Sequence, residues 1–269
     1  MPQEPQPDPL FGTQKARILE IWNRLQRLQT DFTLPQELAF YYASRQWHAA
    51  TTVLDLGTGN GYYLSKLATR FSRKIYHGID QSPELIAIAD REAARGHVTF
   101  SCGNLFDARG LYDFVVMRLV LQHLDDIQAV LDHVATLTKP GSAAVIIDSH
   151  DPLRLFHPDL PEFVEFFAAY TEHELKTGRD RGVASRVERA TESSSTWRPG
   201  GTLRLLIPST IPGNLNLFMQ TYALLVDLVE QTGELQCDFP AIKSALRQWS
   251  ELPDPYMQVG LDMILLDRI

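Results

Sequence analysis

The chain has 269 residues, 44% of them hydrophobic, with 33 acidic against 25 basic side chains and a formal charge of −8. That length can bury one large α/β core plus insertions, and the acidic balance opposes the phosphate attraction that dominates nucleic-acid binding. No stretch approaches the ~18 apolar residues of a membrane span, and two isolated cysteines, Cys102 and Cys237, suggest neither a disulfide frame nor a zinc site. Nucleic acid, membrane and metal are therefore not expected partners, and a reducing cytoplasm is the expected compartment.

In chain order, residues 1–12 are Pro-rich, lack the basic start and apolar run of a signal peptide, and read as a disordered tail. Residues 13–50 carry Ile18, Ile21, Trp22, Leu25 and Leu28 at helical spacing, and then Thr33-Leu34-Pro35-Gln36, which predicts a capped start for a second helix. Val53 to Leu56 predicts an apolar strand running into Gly57-Thr58-Gly59-Asn60-Gly61. Glycine, lacking Cβ and tolerant of positive φ, lets backbone pass close to a ligand at such a strand-to-helix turn. The dinucleotide fingerprint needs a third glycine at position 62, where this chain has Tyr62.

The second strand, Lys74 to Ile79, ends on Asp80, 23 positions after Gly57. A carboxylate there suits ribose hydroxyls, because its two oxygens can accept from two vicinal donors. Gln81 follows, with Ser82 as N-cap and Pro83 at the first helical position. A third strand from Val98 ends at Gly103-Asn104-Leu105. The fourth, from Tyr112, leads through Arg118 to Gln122-His123 and a helix entry, and the fifth, Ala143 to Asp148, follows the Lys139-Pro140-Gly141 turn. Beyond it, Pro161 to Lys176 carries Phe163, Phe166, Phe167 and Tyr170 at helical spacing, and Arg179 to Ala190 predicts a charged, solvated helix. Thr202 to Ile207 is β-like, with Glu234 to Asp238 a competing sixth strand. Asn214 to Gln231 predicts an amphipathic helix stopped by Gly233, and Met257 to Leu266 the last strand.

From Thr51 to about His150, these motifs resemble, in order, those of class I S-adenosylmethionine-dependent methyltransferases, of the small-molecule type found in ubiquinone biosynthesis. The resemblance implies an α/β fold: a Rossmann-like, seven-stranded, mostly parallel sheet with helices on both faces, an antiparallel last strand and helical cap insertions. It implies helices over 13–50 roofing the cofactor, an S-adenosylmethionine-binding core over 51–150, a substrate cap over 151–255, and the closing strand over 256–269. Asp55 would serve the methionine amino group, and Gly57, Gly59 and Gly61 would pass under the carboxypropyl chain. Asp80 and Gln81 would meet the ribose and Asn104 and Leu105 the adenine, with Arg118 on the cofactor side. Tyr41 and its neighbour Tyr42 would contact the ligand from the roof. The family usually has Asp at position 104, and Asn104 keeps a carbonyl acceptor for the same contact.

Two absences narrow the chemistry implied. There is no Asn/Asp-Pro-Pro-Tyr motif of enzymes that methylate exocyclic or amide nitrogens, nor the Asp by which catechol-type enzymes hold magnesium. The expected activity is in-line methyl transfer to a small, partly aromatic molecule, at oxygen in preference to nitrogen or carbon, leaving S-adenosylhomocysteine. His123 is the first candidate general base and His150 the second. The alternatives are a protein that binds the same cofactor without methylating and, with its third glycine missing, a nicotinamide-dependent oxidoreductase.

Overall fold

The computed structural model describes residues 9–92 and 96–269, with side chains described from residue 14. The expected tail falls outside these residues over 1–8, and Pro9 to Gly12 already belong to α1, a helix over Pro9–Ala43. Two helices were expected here, divided near Pro35. Instead α1 runs through the proline, and the Thr33 hydroxyl that would cap a new helix accepts a bond from Arg118 Nη2 at 2.8 Å. A short α2 (Arg45–Ala49) follows, its first turn capped by the Ser44 hydroxyl.

Strands and helices then alternate as β1 (Thr52–Leu56), α3 (Tyr62–Arg70), β2 (Ile75–Asp80), α4 (Pro83–Glu92), β3 (Val98–Cys102), β4 (Tyr112–Arg118), α5 (Ile127–Thr136) and β5 (Thr138–Ser149). The cap segments are β6 (Leu155–His157), α6 (Pro161–Lys176), α7 (Val183–Thr191), β7 (Trp197–Pro208), α8 (Asn214–Thr232) and α9 (Phe239–Ser250), before β8 (Tyr256–Arg268). Strands β1 to β5 pair in parallel in the order β3-β2-β1-β4-β5, and β8 lies antiparallel beside β5. β7 pairs antiparallel along β8, so β8 alone runs against the rest of the sheet. The sheet has eight strands rather than seven, because the three-residue β6 pairs with Tyr256 to Gln258 and prolongs the edge that β5 occupies.

The central strands β1, β4 and β5 are buried on both faces, which explains their continuous apolar runs. On one face Tyr41, Trp47, Leu64 and Leu67 pack over Phe114 and Val145. On the other, Val130, Leu131 and Val187 cover Val115 and Ile146. The cap has its own aromatic core of Phe156, Phe163, Phe166, Phe218, Tyr222 and Trp249. Thr202 to Ile207 lies within β7, whereas Glu234 to Asp238 is not a strand. The helix expected from Arg179 starts only at Val183. α9, capped by Asp238, was not among the expected elements.

At the amino-terminal end of β1 the Asp113 carboxylate accepts from the backbone N–H and hydroxyl of both Thr51 and Thr52, at 2.7–3.0 Å. Burial alone would raise its pKa, but these hydrogen bonds outweigh that and hold it down to about 2. Because the folded value lies below the unfolded ~3.9, the stabilisation is present above pH ~4 and lost toward pH 2. Asp113→Ala should lower stability at pH 7 by at least about 1 kcal/mol, a partly exposed charged acceptor being worth less than a buried one. Urea melts at pH 7 and pH 3 check this, the gap to wild type closing at the lower pH.

Candidate functional site

The turn after β1 determines the shape of the site. Gly57, Gly59 and Gly61 have φ of 77°, 57° and 69°, in the left-handed region that favours glycine. The backbone N–H groups of Gly57 and Thr58 both donate to the Ile79 carbonyl, at 2.8 and 3.0 Å, tying the turn to the end of β2. A Cβ at Gly57 would lie 2.4 Å from Val120 Cγ2, and one at Gly59 would lie 2.4 Å from Gln26 Oε1. Val120 reaches this position because Leu119, just past β4, takes a left-handed φ of 56°, an uncommon state for a branched residue.

Helix α1 is sewn onto the turn. Gln26 Oε1 accepts from the Asn60 backbone N–H at 2.8 Å, and Asn60 Nδ2 donates to Asn23 Oδ1 at 2.7 Å. Further along α1, the fully buried Glu37 carboxylate pairs with Arg118 Nε at 3.3 Å, while the Arg118 guanidinium lies 4.6 Å from the Tyr63 ring centre.

These elements enclose a cavity of about 410 Å³. Asp55, Gly57, Gly59, Asp80, Gln81, Asn104, Leu105 and Arg118 line it, and so does His123. Asp80 Oδ2 accepts from the Gly59 N–H at 2.8 Å and Oδ1 from the Ser82 N–H at 2.9 Å, leaving each oxygen a further lone pair. Asp55 Oδ2 accepts from the Thr58 hydroxyl at 2.7 Å, and burial pushes the carboxyl up to about 7. Asn104 is at the wall, but its side-chain oxygen caps the turn over Leu105–Asp107 by accepting from the Phe106 N–H at 3.0 Å.

Gly61 and Tyr41 do not line the cavity. Gly61 is packed against Phe100 and Ala89 at the start of α3. Tyr41 is wholly buried behind the wall, its hydroxyl 2.8 Å from that of Tyr63, which does reach the cavity. Tyr42 points outward under Arg70. His150 is engaged elsewhere, its Nδ1 lying 3.0 Å from Asp262 Oδ2, while Asp262 is also held by Arg204 Nε at 2.7 Å.

The cap completes the wall with residues that sequence reasoning missed. Arg154 and Arg181 clasp one carboxylate, Asp151: Arg154 Nη2 donates to Oδ1 at 2.6 Å, and Arg181 donates from Nε to Oδ2 at 2.6 Å and from Nη2 to Oδ1 at 3.1 Å. Arg181 Nη1 also donates to Gln122 Oε1 at 2.7 Å, and Arg154 Nε to the Tyr222 hydroxyl at 3.1 Å. Burial opposes ionisation of Asp151, yet the two guanidiniums hold its carboxyl down to about 2. His123 opens onto the cavity with its side chain exposed there. Partial desolvation by the surrounding protein, with the charges of Arg179 and Arg181, lowers its pKa to about 4, so it is neutral near pH 7. On α1, Trp22, Gln26, Gln29 and Thr33 line the roof at helical spacing, and those polar positions within an apolar stripe were the available signal. Among the described residues no cluster of three His, Cys, Asp or Glu side chains could hold a metal ion, and no helix is long and apolar enough to cross a membrane.

Residues 54–143 match the family model described as methyltransferase domain. Over 98 residues the chain is 33% identical to the ubiquinone biosynthesis O-methyltransferase of Bradyrhizobium sp. strain ORS 278, a match covering 35% of this chain and 38% of that protein. It is 26% identical over 174 residues to the demethylmenaquinone methyltransferase of Lactococcus lactis subsp. lactis strain IL1403, covering 58% of this chain and 65% of that one. The chain thus spans 38% to 65% of the length of these curated relatives. In fold it is similar to the crystal structure of a candidate sarcosine dimethylglycine methyltransferase from Galdieria sulphuraria, with a TM-score of 0.51, 16% identity, and coverage of 89% of this chain and 85% of that one.

Behind the cap side of the wall, burial pushes the Asp148 carboxyl up to about 7, and its Oδ2 has no partner. The folded state therefore holds a proton that the unfolded chain, with Asp near 3.9, releases. Stability from this group falls as pH rises from about 4 to about 7. Asp148→Asn, which mimics the protonated acid, should melt about 2–4 °C above wild type at pH 8, and the gain should vanish by pH 4.5. Thermal denaturation at the two pH values checks the sign.

Proposed function

We propose that the protein, whose residues 54–143 match a methyltransferase-domain model, is an S-adenosylmethionine-dependent enzyme that methylates an enclosed small molecule, at oxygen in preference to nitrogen or carbon. The observation that carries the reading is one cavity lined both by the glycine turn with Asp55 and Asp80 and by His123 with the cap aromatics. A cavity of this size suits a small acceptor.

S-adenosylmethionine, when bound, supplies a methyl group on a sulfonium centre to an acceptor aligned behind it. The residues present fit that cofactor. Asp80 keeps a lone pair on each oxygen for the ribose hydroxyls, and the turn at Gly57 and Gly59 has no room for a Cβ. Asp55 is suited to an ammonium group, whose charge would favour the ionised carboxylate. Ile79 and Leu105 offer apolar surface to a base. Asn104 would have to bifurcate its oxygen, already engaged by Phe106, to reach an adenine amino group.

His123 offers a neutral imidazole, and its pKa of about 4 constrains what it can do. A histidine whose pKa is lowered from its ordinary value is too weak a base to take the proton from a phenol of pKa ~10 before attack. The proton therefore moves to His123 late, as bond formation to the methyl group makes the hydroxyl acidic. Orientation and exclusion of water by Phe167, Phe218 and Tyr222 carry the rest of the rate enhancement.

Two outcomes test this reading. Titration calorimetry with S-adenosylhomocysteine should show binding that weakens as pH falls below about 7, because Asp55 must lose its proton to hold the ammonium. Asp55→Asn should flatten that dependence, and Asp80→Ala should weaken binding roughly 10- to 100-fold. No binding to wild type at any pH would remove the cofactor assignment. His123→Ala should cut turnover ~100-fold at saturating cofactor. For the wild type, the acid limb due to His123 should lie near pH 4 rather than near 6.5; unchanged turnover in the variant would exclude it as the base.

A further inference from the structure

The cap side of the cavity holds a charge imbalance that methyl transfer itself does not require. Two guanidiniums, Arg154 and Arg181, share a single ionised carboxylate, Asp151, and their side chains are only 14% and 17% exposed. Asp148, the other carboxyl acting on Arg181, is pushed by burial up to about 7 and offsets the positive charge only in part at neutral pH. His123, on the same wall, contributes no charge there. Arg179, nearby, is answered by Glu174 at 2.7 Å and Glu234 at 3.6 Å, and it does not line the cavity. A net positive charge in a largely desolvated wall is costly unless an anion meets it.

Hydrogen-bonding capacity agrees with the charge. Each guanidinium has five N–H donors. Arg154 spends them on Asp151 and Tyr222, and Arg181 on Asp151 and Gln122, so both retain unspent donors on their terminal nitrogens. The Tyr222 hydroxyl, having accepted from Arg154, keeps its own proton to donate. Arg154 is fixed in place by the Phe167 ring, whose centre lies 3.5 Å from its guanidinium carbon, and Phe167 also lines the cavity.

We propose that Arg154 and Arg181, with the Tyr222 hydroxyl, form a subsite for a carboxylate carried by the methyl acceptor, beside an aromatic or apolar body resting on Phe167 and Phe218. This assignment rests on the methyltransferase reading above and specifies its substrate class. Planar guanidiniums match a planar carboxylate, and a residual positive charge of at most one is met by one negative charge. A phosphate monoester would bring ≈ −1.5 to −2 charges and leave the wall overbalanced. The anchor is distinct from the atom that is methylated, since two guanidiniums on an attacking oxygen would draw off the electron density it needs.

The test uses the full chain loaded with S-adenosylhomocysteine and titrated with 4-hydroxyphenylacetate, its neutral counterpart 4-hydroxyphenylacetamide, and phenyl phosphate. The acid should bind at least tenfold more tightly than the amide. Arg154→Gln and Arg181→Gln should each weaken the acid roughly 10- to 100-fold while leaving S-adenosylhomocysteine affinity unchanged. Arg181 also holds the cap together, so thermal melts accompany both variants, and Arg154→Gln alone decides if Arg181→Gln does not fold. The subsite is overturned if cofactor-loaded wild type ignores the acid, binds the amide equally or phenyl phosphate more tightly, or if the folded variants bind the acid as wild type does. Failure of S-adenosylhomocysteine itself to bind would instead strike the underlying reading, and the same three probes titrated against the ligand-free chain would still judge the anion subsite.

Discussion

Three of the five residues from Gly57 to Gly61 take left-handed backbone angles, and the site is built on that constraint. Side chains rarely tolerate such angles, so the turn exposes bare backbone where a strand would otherwise continue. Its N–H groups are drawn toward the Ile79 carbonyl and the Asp80 carboxylate, which places the end of β1 against the end of β2. Val120 and Gln26 fill the space that a Cβ would need, so β4 and α1 can approach only because the glycines are there. The floor, one wall and the roof of the cavity are therefore consequences of one turn.

Electrostatics divide the cavity differently from its shape. Near the glycine turn the carboxyls dominate, one of them, Asp55, kept close to half-protonated at neutral pH by burial. On the cap side the sign reverses, in a chain whose overall charge is −8. Net charge described the solvent-facing surface and disfavoured polyanions, but it carried no information about a few arginines turned inward. The low pKa of His123 comes first from desolvation and then from the charges of Arg179 and Arg181, which repel a further cation in their vicinity.

The parallel half of the fold was legible because its signals are local. Apolar runs bounded by Gly57 and by Asp80 with Ser82 and Pro83 each mark an element end through backbone preferences that tertiary packing did not override, whereas the turn expected at Gly141 lies inside β5. Thr33 and Pro35 carried an equally local signal, and there it misled. A tertiary hydrogen bond from Arg118 took the hydroxyl that the cap required, and packing against α8 kept the helix whole. Arg181 was hidden for a related reason. Arg179-Asp180-Arg181 reads as a solvated charge run, and only its partners, Asp151 and Gln122, distant in sequence, reveal an inward-facing side chain. Tyr41 was a near miss one layer too deep, since the ring that reaches the cavity is the one to which it is bonded, Tyr63.

Helix α1 touches both halves of the molecule at once. Its Gln26 and Asn23 grip the glycine turn, while Ile21 and Leu25 pack on Leu224 and Leu228 of α8, the cap helix that also supplies Phe218 and Tyr222. One rigid helix thus ties the bare backbone of the glycine turn to the aromatic wall across the cavity, so a substitution that shifts α1 at Gln26 also bears on where Leu224 and Leu228 sit.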